Sequence, residues 1–282
     1  MRATKGLLKG LNPTMAMTAL TVVTLFLLFG VFDPDTAGTW FTGAKDTIIA
    51  GFKWYYILVV ALFLFFAVYL MFSRFGSIRL GDDDQVPEFG YFAWFSMLFS
   101  AGMGIGLVFW SIAEPMYHLQ GNPFVTEGMT PEAAQMAMRL TFFHWGLHPW
   151  AIYVIVGLSL AFFSYRRKLP LAIRSVLYPI LGERIYGFWG HAADVLAVFG
   201  TVFGVATSLG LGVSQMNTGL NQMFGMEVSQ QSQLWLIGGI SLIATLSAIS
   251  GVGRGVKLLS ELNIWLSVFV LGLFLVLGPT TY

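Results

Sequence analysis

The sequence predicts an all-α protein that crosses a membrane several times. Hydrophobic residues fill 56% of the 282 positions and charged residues only 10%, where soluble domains carry about 25% charged residues. The mean hydropathy is +0.74. The apolar residues fall into seven runs, and the lysines and arginines between them are distributed with a strong one-sided bias.

A span requires roughly 20 apolar residues. The first run, residues 15–32, follows a basic start like that of a signal peptide, but it is long enough to span and no small-x-small cleavage pattern follows it, so it reads as a retained first helix. The second is 54–72, and the third, 89–113, is laced with glycine. The fourth run is 140–165. After it, "RRKLPLAIRSVLYPILGERIYGFWGH" mixes charges and holds two prolines, which reads as a loop with a short interfacial helix. Runs 195–217, 234–250 and 262–279 complete the set. The last ends as "VLGPTTY" with no polar tail, as expected of a fragment of a longer protein.

Counted on alternate sides of these spans, twelve basic residues (Arg2, Lys5, Lys9, Arg74, Arg79, Arg166, Arg167, Lys168, Arg174, Arg184, Arg254 and Lys257) face three (Lys45, Lys53 and Arg139). The positive-inside rule then places the N-terminus in the cytoplasm and the C-terminus outside. A net charge of +1 gives no electrostatic case for nucleic acid or an acidic partner. The absence of cysteine excludes disulfides, thiolate metal sites and cysteine nucleophiles.

Within the third run, "SAGMGIGLVFWSIAEP" places Gly102, Gly104 and Gly106 where a membrane helix should be continuous. Each glycine costs a helix interior about 1 kcal/mol relative to alanine. Gly102 and Gly106, four apart, suit a small-residue packing face; that reading does not need Gly104. The other reading is an interrupted helix whose freed carbonyls bind a cation near a substrate, an arrangement tolerable only against protein or a cavity. Glu114, at the end of the run, is either a buried functional acid or an interfacial one.

The fourth run holds "HWGLHPWAIY". At about 100° per residue, Trp145, Trp150 and Tyr153 fall within one arc of a continuous helix, with Pro149 loosening the backbone locally. Tryptophan and tyrosine favour membrane interfaces, yet these three extend along roughly 12 Å of helix. Their alternative use is a cage for a quaternary ammonium, which has no N–H to donate and is attracted by ring faces. His144 and His148 read as hydrogen-bonded structural residues before proton relays. In the fifth run, Thr201 and Ser208 are seven apart and share a face; they offer oxygens to a hard cation, or bond back to helix carbonyls.

"PEFGYFAWFSMLFSAGMGIGLVFWSIAEP", "HWGLHPWAIYVIVGLSLAFFSYRRK", "FGVATSLGLGVSQMNTGL" and "SAISGVGRGVKLLSELNI", in this order and spacing, resemble the betaine/choline/carnitine transporters. The resemblance implies a LeuT-like fold of about twelve spans, two leading helices followed by two inverted repeats of five. On that template residues 1–88 are the tail and leading helices, residues 89–282 are the first repeat, and the second repeat is absent. The resemblance also implies a bacterial plasma-membrane carrier, a possible homotrimer, no enzymatic activity and no cofactor beyond a coupling sodium ion.

Carried over by residue, Trp145, Trp150 and Tyr153 match the family's cage, and Gly102, Gly104 and Gly106 its unwound stretch. Ser100 and Met103 match positions whose backbone oxygens bind sodium, and Thr201 and Ser208 match hydroxyl positions on the fifth span. Met103 stands also among the substrate-binding residues. Val205 departs from the pattern, since a sodium-coupled relative has threonine there. Proton-coupled choline carriers tend to have an acidic residue where this chain has Gly106, which favours a zwitterion such as glycine betaine with sodium. The expectation is therefore sodium-coupled import of a betaine-like compatible solute by alternating access, with a proton-coupled or sodium-independent choline or carnitine carrier as the alternative. A seven-helix photoreceptor would need a lysine deep in the last span, where 262–282 has none, and a seven-helix receptor would need the opposite orientation. An intramembrane enzyme lacks a metal-ligand helix.

Overall fold

The computed structural model describes residues 12–279; Arg2, Lys5 and Lys9, which enter the charge count, lie outside the described residues. Of the described residues 84% are helical, and none lies in a strand. Among the described residues, six helices are long and apolar enough to cross a membrane, and a bent pair makes a seventh span if counted as one. The residues divide into two compact units, Met1–Gln85 with Phe142–Phe203, and Val86–Thr141 with Gly204–Tyr282.

In the first unit, α1 (Pro13–Phe32) starts on Asn12, whose side chain accepts from the Met15 N–H at 3.3 Å, with proline at the first helical position. Asp33 ends α1 and begins α2 (Pro34–Phe72): its N–H donates to the Phe29 carbonyl, and its carboxylate accepts from the Thr36 N–H. Phe26 knits the elements together, stacking on Phe41 at 4.5 Å and meeting Phe203 at 4.3 Å. α2 starts 20 residues before the run read from hydropathy at 54. Hydropathy reports the part of a helix that suits lipid, whereas Lys45, Asp46 and Lys53 are compatible with helix and incompatible with the bilayer core. At 39 residues α2 is about 58 Å long, nearly twice the ~30 Å hydrocarbon thickness.

α6 (Leu147–Ala161) packs on α2 and ends in a widened turn, Phe162–Arg166. The loop beyond it contains the short α7 (Tyr178–Leu181) and is pinned at several points. The hydroxyls of Ser164 and Ser175 both donate to the Pro170 carbonyl, at 3.2 and 2.6 Å. Arg174 and Asp194, both buried, form an ion pair through the guanidinium Nε, and the Arg174 backbone N–H donates to the same carboxylate at 2.9 Å. Arg166 donates to the Gly81 carbonyl at 3.0 Å and to Asp83 at 2.6 Å, and Lys168 reaches Asp82 at 2.7 Å. The two basic loops that the charge count assigns to one side of the membrane are thus tied together. The Arg166 guanidinium holds the exposed Asp83 carboxyl below the ordinary carboxylate range.

In the second unit, α3 (Tyr91–Gly102) packs lengthwise on α10 (Lys257–Leu277). The seam is built from small residues: Ala93, Ser96 and Ser260 are buried, with Ile264 beside them. α4 (Trp110–Gln120) and α5 (Pro131–His144) follow α3 in the chain. α8 (Phe188–Phe224) passes from the first unit into the second. Its last turns hold the connection to α9 (Gln230–Ser250): the Asn217 and Asn221 amides donate to the carbonyls of Glu227 and Met226, at 3.1 and 2.9 Å. Between α9 and α10 the chain turns at Gly251, whose φ of 87° demands glycine, into a widened turn over Val252–Val256.

Candidate functional site

The third span is interrupted where the glycines fall. α3 ends at Gly102, and Met103–Phe109 forms a widened stretch in which Gly104 leaves helical geometry with ψ at −122°. The segments Tyr91–Gly102 and Gly106–Gln120 are bent by 56°. Gly102 and Gly106 therefore bracket a bend and belong to different segments. The packing-face reading needs them on one face of a continuous helix, and that premise does not hold here.

The Ser100 carbonyl lies in the last turn of α3 and the Met103 carbonyl opens the widened stretch; their helical donors would be the N–H groups of Gly104 and Leu107, both inside that stretch. Ser100 itself is pinned: its hydroxyl donates to the Ser260 carbonyl at 3.3 Å and accepts from the Asn263 amide at 3.1 Å. Gly104 and Val108 border a recess of about 430 Å³ closed by Ser208, Val213, Gln215 and Met216 of α8 and by Ile240 of α9. The structure so brings Ser208 to the interrupted stretch. The walls of that recess are almost wholly apolar.

Thr201 lies in the first unit and borders another recess, shared with Met15, Leu160, Ile173 and Asp194. Its hydroxyl donates back to the Ala197 carbonyl at 2.8 Å, the self-satisfied arrangement common for helical threonine. Seven-residue spacing put Thr201 and Ser208 on one face of α8, but the two line different recesses.

The aromatic constellation belongs to the first unit. Its helix is not continuous: α5 ends at His144, Trp145 and Gly146 break the path, and α6 begins at Leu147. The break thus lies three residues before Pro149, which occupies the first turn of α6, where its missing N–H leaves no intrahelical bond unmade. The wheel that placed Trp145 in one arc with the other two rings does not apply across this break. Trp150 and Tyr153 do pair, with ring centroids 5.9 Å apart and planes tilted by 35°. Trp145 is linked to them through its backbone, whose carbonyl accepts from the Trp150 indole at 3.2 Å. His144 lies against Trp145 at 5.2 Å, and His148 against Phe143 at 4.9 Å. Glu114 is buried on α4, with its carboxylate 3.5 Å from the His118 ring one turn on.

Sequence reasoning missed Ser260 and Asn263, the partners of Ser100. A signal was present: Ser260, Asn263 and Ser267 recur at helical spacing from just before the last apolar run into it, marking a polar stripe that needs partners on a neighbouring helix.

The family profile described as "BCCT, betaine/carnitine/choline family transporter" matches residues 14–282. The glycine betaine transporter of Acinetobacter baylyi is 46% identical over 272 residues, which are 96% of this chain and 41% of that protein. Glycine betaine transporter OpuD of Bacillus subtilis is 48% identical over 266 residues, 94% of this chain and 51% of that protein. The high-affinity choline transport protein of Escherichia coli is 43% identical over 272 residues, 96% of this chain and 40% of that protein. The chain spans about half the length of the curated relatives it matches. A helical chain with a broken third span, matched to this family along nearly its whole length, is a multi-pass membrane protein that belongs to the betaine/carnitine/choline transporter family.

Proposed function

We propose that this chain contributes ion- and substrate-engaging residues to a secondary active carrier that imports a quaternary-ammonium compatible solute of the glycine betaine type, coupled to sodium and working by alternating access. The observation that carries the reading is the interruption at Gly104, which takes the backbone of a membrane span out of regular helix beside the carbonyls of Ser100 and Met103. Irregular backbone at membrane depth is tolerated against protein or a cavity, and it is how broken helices meet coupling ions. Trp150 and Tyr153, with Trp145 tethered to them, supply ring faces suited to a trimethylammonium head. Gly106 adds no charge, in keeping with a substrate that carries its own carboxylate.

Residues 1–88 as leading helices, 89–282 as one inverted repeat, assembly as a homotrimer and a plasma-membrane location with a cytoplasmic N-terminus belong to the same reading. The charge bias between spans supports that orientation. Choline as substrate is favoured by one observation, the name of the Escherichia coli relative. Uptake of radiolabelled betaine and choline by the full-length carrier in proteoliposomes decides between them. Betaine flux should collapse when the sodium gradient is removed; flux indifferent to sodium defeats the coupling, and preference for choline defeats the substrate assignment.

A further inference from the structure

We infer that Asn263 is a positioning residue for the cation-binding end of the interrupted span, an assignment that rests on the sodium reading above. Hydroxyls on these helices commonly bond back to the carbonyl four residues earlier: Ser96 to Phe92, Thr141 to Ala137, Thr245 to Ser241 and Ser267 to Asn263, at 2.7 to 2.8 Å. Ser100 departs from this pattern. Its single proton goes across to the Ser260 carbonyl on α10, and the Asn263 amide donates to its oxygen.

The consequence follows from the oxygens available. With its proton given to Ser260 and one lone pair taken by Asn263, the Ser100 hydroxyl is committed to α10, so the oxygen proposed to meet an ion is the backbone carbonyl. That carbonyl stands four residues before Gly104, where helical geometry fails. The Asn263 bond therefore fixes the last regular turn of α3 and with it the Ser100 carbonyl, while the chain from Met103 onward takes its own path. Asn263 is half-buried on the polar stripe of α10 formed with Ser260 and Ser267, and the Ser100 hydroxyl is the partner its amide meets across the seam. It touches neither ion nor solute; it acts through Ser100.

The test uses betaine uptake by the full-length carrier at varied sodium. Asn263→Ala, and Asn263→Leu, which keeps the volume, should each raise the half-saturating sodium concentration roughly ten-fold, the effect typical of losing a group that orients a metal ligand. The maximal rate, and the half-saturating betaine concentration at saturating sodium, should stay within about two-fold, since uniform loss of folded carrier would lower the rate without moving the sodium requirement. Asn263→Gln, which retains the donor, should recover most of the loss. Ser100→Ala should match Asn263→Ala, and the double variant should be no worse than either, because both break one linkage. Sodium-dependent wild-type uptake whose half-saturation is unmoved by Asn263→Ala and Asn263→Leu overturns the assignment alone. Wild-type uptake indifferent to sodium overturns the coupling reading and the assignment with it.

Discussion

The indole N–H of Trp150 donates to the carbonyl oxygen of Trp145 across 3.2 Å. In an uninterrupted helix that carbonyl would be met by the N–H of residue 149, which is proline and has none. A side chain thus supplies the donor the backbone lacks, and the same side chain presents a ring to Tyr153.

Trp150→Phe and Trp150→Ala separate these two roles. Either change removes the donor from the Trp145 carbonyl, which should cost about 1–3 kcal/mol locally and raise hydrogen exchange at 145–150. Only the alanine also removes a ring face, worth ~2 kcal/mol to a desolvated cation. Affinity of the full-length carrier for a trimethylammonium solute should therefore fall about thirty-fold more in Trp150→Ala than in Trp150→Phe, with no such gap for an uncharged analogue.

Gly104→Ala should straighten the third span. A Cβ at this position meets nothing within 4 Å, so the substitution acts through backbone preference and not through collision. Alanine favours helix by about 1 kcal/mol, a roughly five-fold shift toward the continuous form. Spin labels at Leu98→Cys and Ile112→Cys, both exposed positions flanking the 56° bend, report it in a chain with no native cysteine. The longer distance should gain population in the alanine variant, and uptake should fall; an unchanged distance distribution refutes the role given to Gly104.

The Arg174–Asp194 pair should be the most sensitive point of the loop after α6. Removing one partner of a buried ion pair costs about 3–5 kcal/mol, because the other charge is left uncompensated. Arg174→Met should lower the thermal midpoint in detergent more than Arg174→Met combined with Asp194→Leu. Equal losses would mean that the remaining carboxylate finds another partner.

Acid should leave the Asp83–Arg166 link intact over the ordinary working range, while salt should not. The folded carboxyl binds its proton more weakly than the free group at 3.8, so its contribution is complete above that value and is lost as the pH falls through the lower folded value. Both partners are accessible to solvent, and the screening length shrinks to about 3 Å at 1 M salt. Hydrogen exchange at 81–85, corrected for intrinsic rates, should be steady from about pH 8 to pH 5 and should rise with sodium chloride. A rise between pH 8 and pH 5 would show that the link depends on some other titrating group.

The spans were legible because hydropathy is a local property: five of the seven apolar runs fall largely on a single helix, the third falls on the bent pair and the fourth falls across α5 and α6. The interruption was legible for the same reason, since three glycines within five residues weaken a helix wherever it lies. What escaped depends on neighbours. Pro149 signals a break on its own account, but the chain bends at Trp145–Gly146 and the proline is absorbed in the first turn of α6. The N-terminal half of α2 was invisible because charge reports the solvent and not the backbone conformation. Arg174 and Asp194 are 20 residues apart, and Ser100 and Asn263 are 163 apart; no periodicity links partners at such separations.

The seam between α3 and α10 also sets a timetable for biogenesis. The Ser100 hydroxyl and the Ser260 carbonyl are 160 residues apart, so at roughly 5–20 residues per second the ribosome delivers the second some ten to thirty seconds after the first. Throughout that interval a nascent third span has no tenth helix to receive its hydroxyls. A chaperone or insertase that shelters weakly hydrophobic segments would matter most in that window, before Asn263 has been synthesised.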